Sequence, residues 1–371
     1  MITRQRLVSY GIPAAAAATI VLAALLTRSQ QGGITKTPPP PTTKHQIDVV
    51  FAVDTTGSMG GLIDGAKRTV WSIANTIKNT DPNAELRIGL VAYKDVGDEY
   101  VTKELALTTD LDAVFAELAA YRASGGGDTP ENVDAALDVT LHKMQWRDGA
   151  KKLVFLVGDA PPASRGDVPT FDVLAREAAN RSIIINTIRA GSDSQTQLAF
   201  QQIAQLGNGE FSSIQQDGGV QQIATPYDDK LAELSARIDS TAVIAGDEAT
   251  RGRYEAKMAA AAAAPAPAKA DRAMYFSSGE ARAAEDVVAG YGSGTVTIDG
   301  IDQAALPAEM RDLDKAKLKD ELDRRVAQRK QAQEELGKLA KEREDFLKKN
   351  AKSGEGGFDT QVKATLEKQL K

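Results

Sequence analysis

Three stretches of the sequence carry oxygen-bearing side chains in positions that suit a divalent cation. The stretch VFAVDTTGSMGGL places Asp54, Thr56 and Ser58 directly after an apolar run. SGGGDTPENVDAAL, which starts at Ser124, is a glycine-rich loop that opens a helix, and VGDAPP leaves Asp159 at the end of another apolar run. Their donors are carboxylates and hydroxyls only, which favours a hard cation such as Mg²⁺, Mn²⁺ or Ca²⁺ over zinc.

The elements around these stretches must bring them together. Short, mostly β-branched apolar runs predict strands at residues 47–53, 86–93, 100–107, 152–158, 182–190 and 210–214. Amphipathic patterns predict helices at residues 62–78, 111–121, 130–144, 171–180 and 194–206. This alternation predicts an α/β fold, a doubly wound and mostly parallel sheet with helices on both faces. Ligands of such sheets bind beyond the carboxyl ends of the strands, so we expect the three stretches to converge there.

The composition excludes several other classes of function. The 371 residues carry a formal net charge of -6, which argues against a nucleic-acid partner because neutralising phosphates requires a basic surface. Cysteine is absent, which excludes thiolate metal sites and thiol nucleophiles. The only histidines are His45 and His142, too few for a histidine-rich zinc centre, and His142 is interpreted as a helix-surface residue.

The order of these motifs resembles the metal-ion-dependent adhesion site (MIDAS) of von Willebrand factor type A (VWA) domains. In that family D-x-[S/T]-x-S lies on the first strand-helix turn, a Thr or Glu comes from a glycine-rich loop, and an Asp ends a central strand. The resemblance covers about residues 46–245. The stretches VAYKDVGDEYVT, GGGDTPE and TPYDDKLAEL are similar to those of a bacterial membrane-anchored branch of the family. The resemblance implies a module in which a bound cation captures a carboxylate of a protein partner.

The resemblance also implies a ligand set for the cation, with Mg²⁺ first and Mn²⁺ or Ca²⁺ as alternatives. Ser58 would bind the ion directly, together with Thr56 or a residue of the second loop. Asp54 and Asp159 would act directly or through water. Few of these donors are charged, so the ion would keep positive charge for an incoming carboxylate. The candidate metal ligands are Asp54, Thr56, Ser58, Thr129, Glu131 and Asp159.

The ligand from the second loop is open between two residues. Thr129 matches the adhesion domains in which a threonine serves, and we favour it for a resting site. Glu131 matches the integrin β-subunit form, in which the glutamate of a similar DTPE stretch binds metal. The resemblance alone does not decide between them.

Some positions near the motifs depart from the family pattern. Residues 60–62 are Gly-Gly-Leu where integrin β subunits carry further acidic residues, which indicates that their adjacent calcium site is missing here. Ala163 stands where a histidine is expected in close relatives. Asp95, Asp98 and Glu99 are interpreted as a solvated acidic loop.

The N-terminal residues predict a membrane anchor. LVSYGIPAAAAATIVLAALLT carries no charge, and as a helix its 21 residues would span about 31 Å. We expect an uncleaved signal anchor over residues 1–28 and a Pro-rich linker over residues 29–45, with Arg4 and Arg6 on the cytoplasmic side. This topology predicts a single-pass protein of the bacterial inner membrane whose bulk is periplasmic or extracytoplasmic. Secretion after signal cleavage is the alternative.

The chain after the predicted VWA domain divides into three segments. Residues 246–273 predict an Ala/Pro-rich linker, and residues 274–310 predict a short mixed segment with a strand and a turn near its end. Residues 311–371 predict a charged helical tail with a thin apolar seam. A coiled coil, a single long helix and a helical hairpin all fit this seam. Self-association through the tail is one of the predicted partner contacts.

Three classes of function fit the sequence. The first, which we favour, is a membrane-tethered binding module that is not an enzyme. The second is a scaffold that assembles through its C-terminal helix and has no active metal site. The third is a metal-dependent hydrolase, for which Asp95 or Glu131 would have to act as the base without support from a second motif.

Overall fold

A computed structural model describes residues 44–127, 129–166, 168–277, 282–350 and 356–371. The predicted signal anchor, residues 1–28, lies outside these ranges, as do all but the last two residues of the predicted linker, 29–45. Within the described ranges, no helix is both long enough and apolar enough to cross a bilayer. Membrane anchoring therefore stays a prediction from the sequence.

A six-stranded sheet forms the centre of the fold. Its strands are β1 (His45–Asp54), β2 (Ala84–Tyr93), β3 (Thr102–Thr108), β4 (Lys151–Gly158), β5 (Ile183–Ala190) and β6 (Asn208–Ile214). They lie in the order β3-β2-β1-β4-β5-β6, and all neighbours are parallel except β2 and β3. The predicted mostly parallel α/β sheet is confirmed. The strand order switches between β1 and β4, the place where such sheets bind ligands.

Side chains of β1 alternate between two hydrophobic cores, one on each face of the sheet. Val49 and Phe51 enter one core, and Val50 and Ala52 enter the other. The first core includes residues of α1 (Gly60–Thr80) and α2 (Leu111–Ala120), and the second includes residues of α3 (Val133–His142), α4 (Phe171–Asn180) and α5 (Ser194–Leu206). Such period-two burial is what a strand covered on both faces requires.

The described part of the chain after β6 is helical. Its helices are α6 (Asp228–Asp239), α7 (Glu248–Ala263), α8 (Ala266–Ser277), α9 (Val287–Ser293), α10 (Ala308–Arg311), α11 (Lys315–Asn350) and α12 (Phe358–Gln369). The segment predicted as a linker, 246–273, thus forms α7 and most of α8. Alanine is the strongest helix former, and Pro267 lies in the first turn of α8, where its missing N–H costs nothing. Ala261, Ala264 and Ala268 join the core on the α1 face, so this segment is part of the fold.

Helix α11 packs its apolar seam against the rest of the chain. Leu336 joins a cluster with α6 and α8, and Leu322 joins a cluster with α9. Arg343 interrupts the seam but is 2% exposed, and it forms ion pairs with Asp228 at 2.6 Å and Asp271 at 2.7 Å. The predicted long helix is present. Leu318, Leu322, Leu336 and Ala340 of its seam are buried against other parts of the chain. Self-association through the tail stays a prediction.

The strand predicted near the end of the mixed segment does not form. Gly294 adopts a φ of 78° at the end of α9, and two 3-10 turns, Ile298–Gly300 and Gln303–Ala305, follow. Thr297 Oγ1 accepts from the N–H of Gly300, and Asp302 Oδ1 accepts from that of Ala304. These side chains hold the backbone in turns and so compete with strand pairing.

Candidate metal centre

Asp54 ends β1 and is completely buried. Its Oδ1 accepts two hydrogen bonds from Thr56, from the backbone N–H at 2.8 Å and from the side-chain Oγ1 at 2.7 Å. Its Oδ2 is also buried, and it accepts no hydrogen bond from the residues that the structure describes. A buried carboxylate oxygen without a donor is costly unless a cation or a proton neutralises it.

Ser58 lies on the open side of the same turn. The 3-10 turn Gly57–Met59 follows Thr56 and places the Ser58 hydroxyl 3.5 Å from Oγ1 of Thr56. Ser58 is exposed, whereas Asp54 and Thr56 are buried. The first loop therefore presents oxygens that run from the interior to the surface.

The glycine-rich loop brings Glu131 next to this turn. Gly125 and Gly126 adopt φ values of 75° and 77°, which favour glycine. A Cβ on Gly126 would lie 2.9 Å from Cβ of Thr56 and 3.3 Å from Oε1 of Glu131, so those two side chains flank the glycine closely. Glu131 is 3% exposed, and Thr129 is exposed. The structure thus places Glu131 beside the first loop and Thr129 on the surface.

Asp159 follows β4 directly and is half-buried. A Cβ on the preceding Gly158 would lie 3.4 Å from Cβ of Asp54, so the chain approaches Asp54 closely at this point. The loop between β4 and α4 is tied to the glycine-rich loop because the N–H of Glu131 donates to Pro161 O at 3.0 Å. The amide Nε2 of Gln216 donates to Asp159 Oδ2 at 2.6 Å.

Tyr93, at the end of β2, lies among the carboxylates of all three loops. Burial raises the pKa of its phenol well above the ordinary value, and the charges of Asp54, Asp159 and Glu131 raise it further. Its hydroxyl donates to Val157 O at 3.2 Å. The three sequence stretches therefore converge at the carboxyl edge of the sheet, as expected for a doubly wound fold.

The electrostatics of the centre favour a bound cation. Burial raises the pKa of Asp54 to about 7, with a smaller contribution from the negative charge of Asp159, although the Thr56 hydrogen bonds oppose the shift. Lys94 also opposes it. Lys94 is 1% exposed, and its Nζ donates to the carbonyl and hydroxyl oxygens of Ser124 at 2.5 and 2.7 Å. This buried lysine was not singled out from the sequence, because nothing in its neighbourhood there distinguishes it from a surface lysine.

The donor set fits a hard cation better than a soft one. Among the described residues, no three His, Asp or Glu side chains are close enough together to hold a metal ion by themselves. Hydroxyls must therefore complete any coordination shell, and Thr56 and Ser58 are placed to do so. Carboxylate and hydroxyl oxygens are the ligands of Mg²⁺, Mn²⁺ and Ca²⁺.

The loop after β2 is solvated only in part: Glu99 is exposed, as its sequence predicts, but Asp95 and Asp98 are not. Asp95 is 2% exposed and pairs with Arg165, whose Nε lies 2.9 Å from Asp95 Oδ1. Asp98 accepts from the N–H of Gly126 at 3.1 Å. Asp95 thus connects the loop after β2 to the loop between β4 and α4, which contains Arg165. Asp98 connects it to the glycine-rich loop, which contains Gly126.

Comparison with known proteins relates part of the chain to one family model. Residues 48–226 match the model described as von Willebrand factor A domain. An ariadne-like RING finger protein of Acanthamoeba polyphaga mimivirus is 31% identical over 147 residues, 40% of this chain and 13% of that protein. The alpha-protein kinase vwkA of Dictyostelium discoideum is 28% identical over 119 residues, 31% of this chain and 18% of that protein. The chain thus spans less than a fifth of either relative.

Solved structures share the fold at low identity. The SpRpn10 VWA domain is 15% identical, with 46% of this chain and 88% of that chain covered and a TM-score of 0.36. Proximal thread matrix protein 1 from the mussel byssus, solved with a zinc-occupied MIDAS motif, is 13% identical. The match covers 46% of this chain and 41% of that chain, with a TM-score of 0.33. These likenesses concern the fold alone.

Proposed function

We propose that the von Willebrand factor A domain formed by residues 48–226 binds a divalent cation and, through it, a carboxylate of a protein partner. VWA domains are generally interaction modules without catalytic activity. One observation carries the proposal: Asp54 Oδ2 is buried and has no donor among the described residues, while the other oxygen of the same carboxylate bonds to the Thr56 hydroxyl, which lies 3.5 Å from that of Ser58. A cation at this oxygen would remove the cost of the unpaired charge.

The proposed ligands come from the three loops. Asp54, Thr56 and Ser58 supply the first loop, and Asp159 supplies the third. For the second loop we propose Glu131 in place of Thr129, because Glu131 is buried beside Thr56 and Thr129 is exposed. Mg²⁺ is the cation proposed first, with Mn²⁺ or Ca²⁺ as alternatives, because all of these donors are hard oxygens.

The exposure of Ser58 indicates where the partner would bind. The buried ligands lie on the protein side of the site, and Ser58 lies at its solvent-facing edge. A carboxylate that arrives from solvent would complete the coordination shell of the ion on that edge. Cation and partner would then bind cooperatively, since each supplies charge that the other needs.

Binding is favoured over metal-dependent hydrolysis by the state of the acids that a hydrolase would use. Asp95 is buried against Arg165, which keeps its carboxylate engaged in an ion pair. Glu131 lies in the proposed ligand set, where a bound cation would lower its basicity. His142 lies on α3, where it bonds to Asp138 and Glu177 instead of the site residues. A general base must reach the water or substrate that it deprotonates.

We also propose that the chain is tethered to a membrane, with the cation site on the extracytoplasmic side. The support is the uncharged run of 21 residues, 7–27, which follows Arg4 and Arg6. A single-pass anchor in a bacterial inner membrane would follow from this sequence. Fractionation of cells with and without residues 1–28, followed by protease accessibility of the remaining chain, tests the anchor and its orientation.

Calorimetric titration of the full chain with Mg²⁺, Mn²⁺ and Ca²⁺ tests the metal site. We expect saturable binding of at least one of these cations, and we expect free glutamate to tighten it because the amino acid supplies the missing carboxylate. If none of the three cations binds, with or without glutamate, the proposed function is wrong.

A further inference from the structure

A polar groove adjoins the metal centre at the carboxyl ends of β5 and β6. Its volume is about 900 Å³, which is within the range of specific ligand sites. Most of its polar side chains are amides and hydroxyls: Ser192, Ser213, Gln215, Gln216, Gln221 and Gln361. Each can both donate and accept a hydrogen bond, as the backbone of an extended peptide does.

The near end of the groove touches the metal centre. Gln216, which lines the groove, donates to Asp159 Oδ2 at 2.6 Å and to Ser58 O at 3.3 Å. From there the chain runs along α1, because a Cβ on Gly61 would lie only 2.8 Å from Cα of Asp217. The glycine at 61, where integrin β subunits carry acidic residues, therefore has a packing role here.

The loop of residues 216–222 continues along α1, away from the metal centre. A Cβ on Gly65 would lie 2.8 Å from a methyl carbon of Val220, and Gln222 Nε2 donates to Arg68 O at 3.1 Å. Gln216, Asp217, Val220 and Gln222 thus lie in order beside Ser58, Gly61, Gly65 and Arg68. The groove therefore extends from the metal centre to Arg68.

Arg68 places a positive charge at the far end of the groove. It is half-buried and lines both the groove and a second cavity of about 720 Å³. Its Nε is enclosed without a hydrogen-bond acceptor, and its guanidinium forms no ion pair with the residues that the structure describes. The neighbouring Lys67 instead lies 3.4 Å from Asp64 and 3.0 Å from Tyr121 O. A partly desolvated guanidinium is stabilised by a carboxylate, which it binds through two N–H groups.

The distance between the proposed cation beside Ser58 and the guanidinium of Arg68 sets the distance between the two carboxylates that would bind them. Ser58 and Arg68 are ten residues apart along α1 and the turn before it, or about 15 Å at about 1.5 Å per residue. In an extended peptide, side chains four residues apart point the same way and are about 13 Å apart. Flexible acidic side chains can cover the difference.

We propose that the groove takes an extended acidic segment of a protein partner, with two carboxylates four residues apart. The first carboxylate binds the cation and the second binds Arg68, while the groove amides pair with the backbone between them. This inference rests on the proposed cation-dependent function. Asp217 also lines the groove, close to Gly61, so a further acidic residue of the segment near Asp217 weakens binding by repulsion.

Fluorescence anisotropy with labelled synthetic peptides tests this inference on the full chain in Mg²⁺. One peptide carries two glutamates separated by three neutral residues, and the other has glutamine in place of the second glutamate. We expect the two-glutamate peptide to bind roughly three- to tenfold more tightly. Arg68→Gln should remove that difference, and Lys67→Gln, which changes the same charge one position away, should preserve it.

The outcomes separate this inference from the function on which it rests. Equal, Mg²⁺-dependent affinity of the two peptides for the native chain would overturn the role of Arg68 and leave the cation-dependent function intact. The same holds if Arg68→Gln and Lys67→Gln have equal effects. Peptide binding that a chelator does not reduce contradicts the cation-dependent function. In that case the Arg68 contact still stands if Arg68→Gln abolishes the difference between the peptides.

Discussion

Oγ1 of Thr56 donates a hydrogen bond to Oδ1 of Asp54 across 2.7 Å at the carboxyl end of β1. This bond and the one from the Thr56 backbone hold one oxygen of the carboxylate, and the other oxygen has no donor among the described residues. The carboxylate is thus oriented through one oxygen, and the other is the oxygen that we propose binds the cation. Its orientation follows from local sequence, since both bonds lie within two residues.

Asp54→Asn should abolish cation binding and leave the fold intact. The amide keeps the shape of the side chain and removes the negative charge, so metal-free stability should be unchanged or higher because a buried charge is gone. Calorimetry measures the first effect, and thermal unfolding in chelator measures the second. The control is Asp64→Asn on α1, because the Asp64 side chain is 69% exposed. Retained cation binding in Asp54→Asn would exclude Asp54 as a ligand.

Glu131→Gln should weaken cation binding more than Thr129→Val does. Glu131 is buried beside Thr56, whereas Thr129 is exposed. Only Glu131→Gln therefore removes a negatively charged oxygen close to the proposed ion. We expect a loss of affinity of roughly tenfold or more for Glu131→Gln and little change for Thr129→Val. The reverse order would restore Thr129 as the ligand of the second loop.

The strands and four of the loop positions were predictable from local sequence. Continuous apolar runs such as residues 47–53 require burial on both faces, and a parallel sheet is the fold that provides it. Asp54 and Asp159 follow such runs directly, so their place at the carboxyl edge follows from the same argument. Gly125 and Gly126 likewise adopt the positive φ values that a glycine run favours.

The other features depend on contacts between distant parts of the chain. Asp95 is buried because Arg165, 70 residues away, pairs with it. Gln216 reaches Asp159 across 57 residues. The alanine-rich stretch 246–273 has the composition of a linker, and only its packing against the α1 face shows that it belongs to the core. Local sequence patterns do not predict contacts between residues that are far apart in the chain.

Truncation after Gly246 should strongly destabilise the α/β domain that contains the six-stranded sheet. Residues of α7, α8 and α12 complete the core on the α1 face, where the rings of Phe358 and Phe51 are 6.2 Å apart. Without these helices that face would expose apolar side chains to water. We expect the fragment 44–246 to aggregate or to bind a hydrophobic dye, whereas the fragment 44–371 should unfold cooperatively. A well-folded 44–246 fragment would show that the helical extension is dispensable.

The contribution of His142 to stability should depend on pH. Its ring nitrogens lie 2.8 Å from Asp138 and 2.9 Å from Glu177, which also pairs with Arg181. Partial burial opposes the charged ring, but the two carboxylates prevail and raise the pKa of His142 above 6.5. Because the pKa is higher in the folded state than in the unfolded state, the charged ring stabilises the fold. This stabilisation is fully present below about pH 6.5 and is lost as the pH rises through the pKa of the folded state.

His142→Gln should therefore lower the unfolding temperature at pH 6 and have little effect at pH 9. The loss of stability should stay within about 1 kcal/mol, because the pair is partly exposed. Thermal unfolding of the native chain and the variant at both pH values measures it. An equal loss at pH 6 and pH 9 would mean that packing or neutral hydrogen bonds, and not charge, stabilise the contact between α3 and α4.

Arg272→Ala should be among the most destabilising single substitutions in the helical extension. Arg272 is 3% exposed, and it forms ion pairs with Asp112 of α2 at 2.6 Å and with Asp239 of α6 at 2.8 Å. Its removal would leave Asp112 buried without its cation, and breaking such a pair costs about 3–5 kcal/mol. Arg176→Ala on α4 is the control, because Arg176 is exposed and should change stability by roughly 0.5 kcal/mol or less. Denaturant unfolding measures both. If the two substitutions cost the same, this ion pair does not hold α8 to the sheet domain, and the attachment comes from other contacts, such as the apolar packing of Ala268 and Phe276 and the hydrogen bond from Asn75 to Asp271 O.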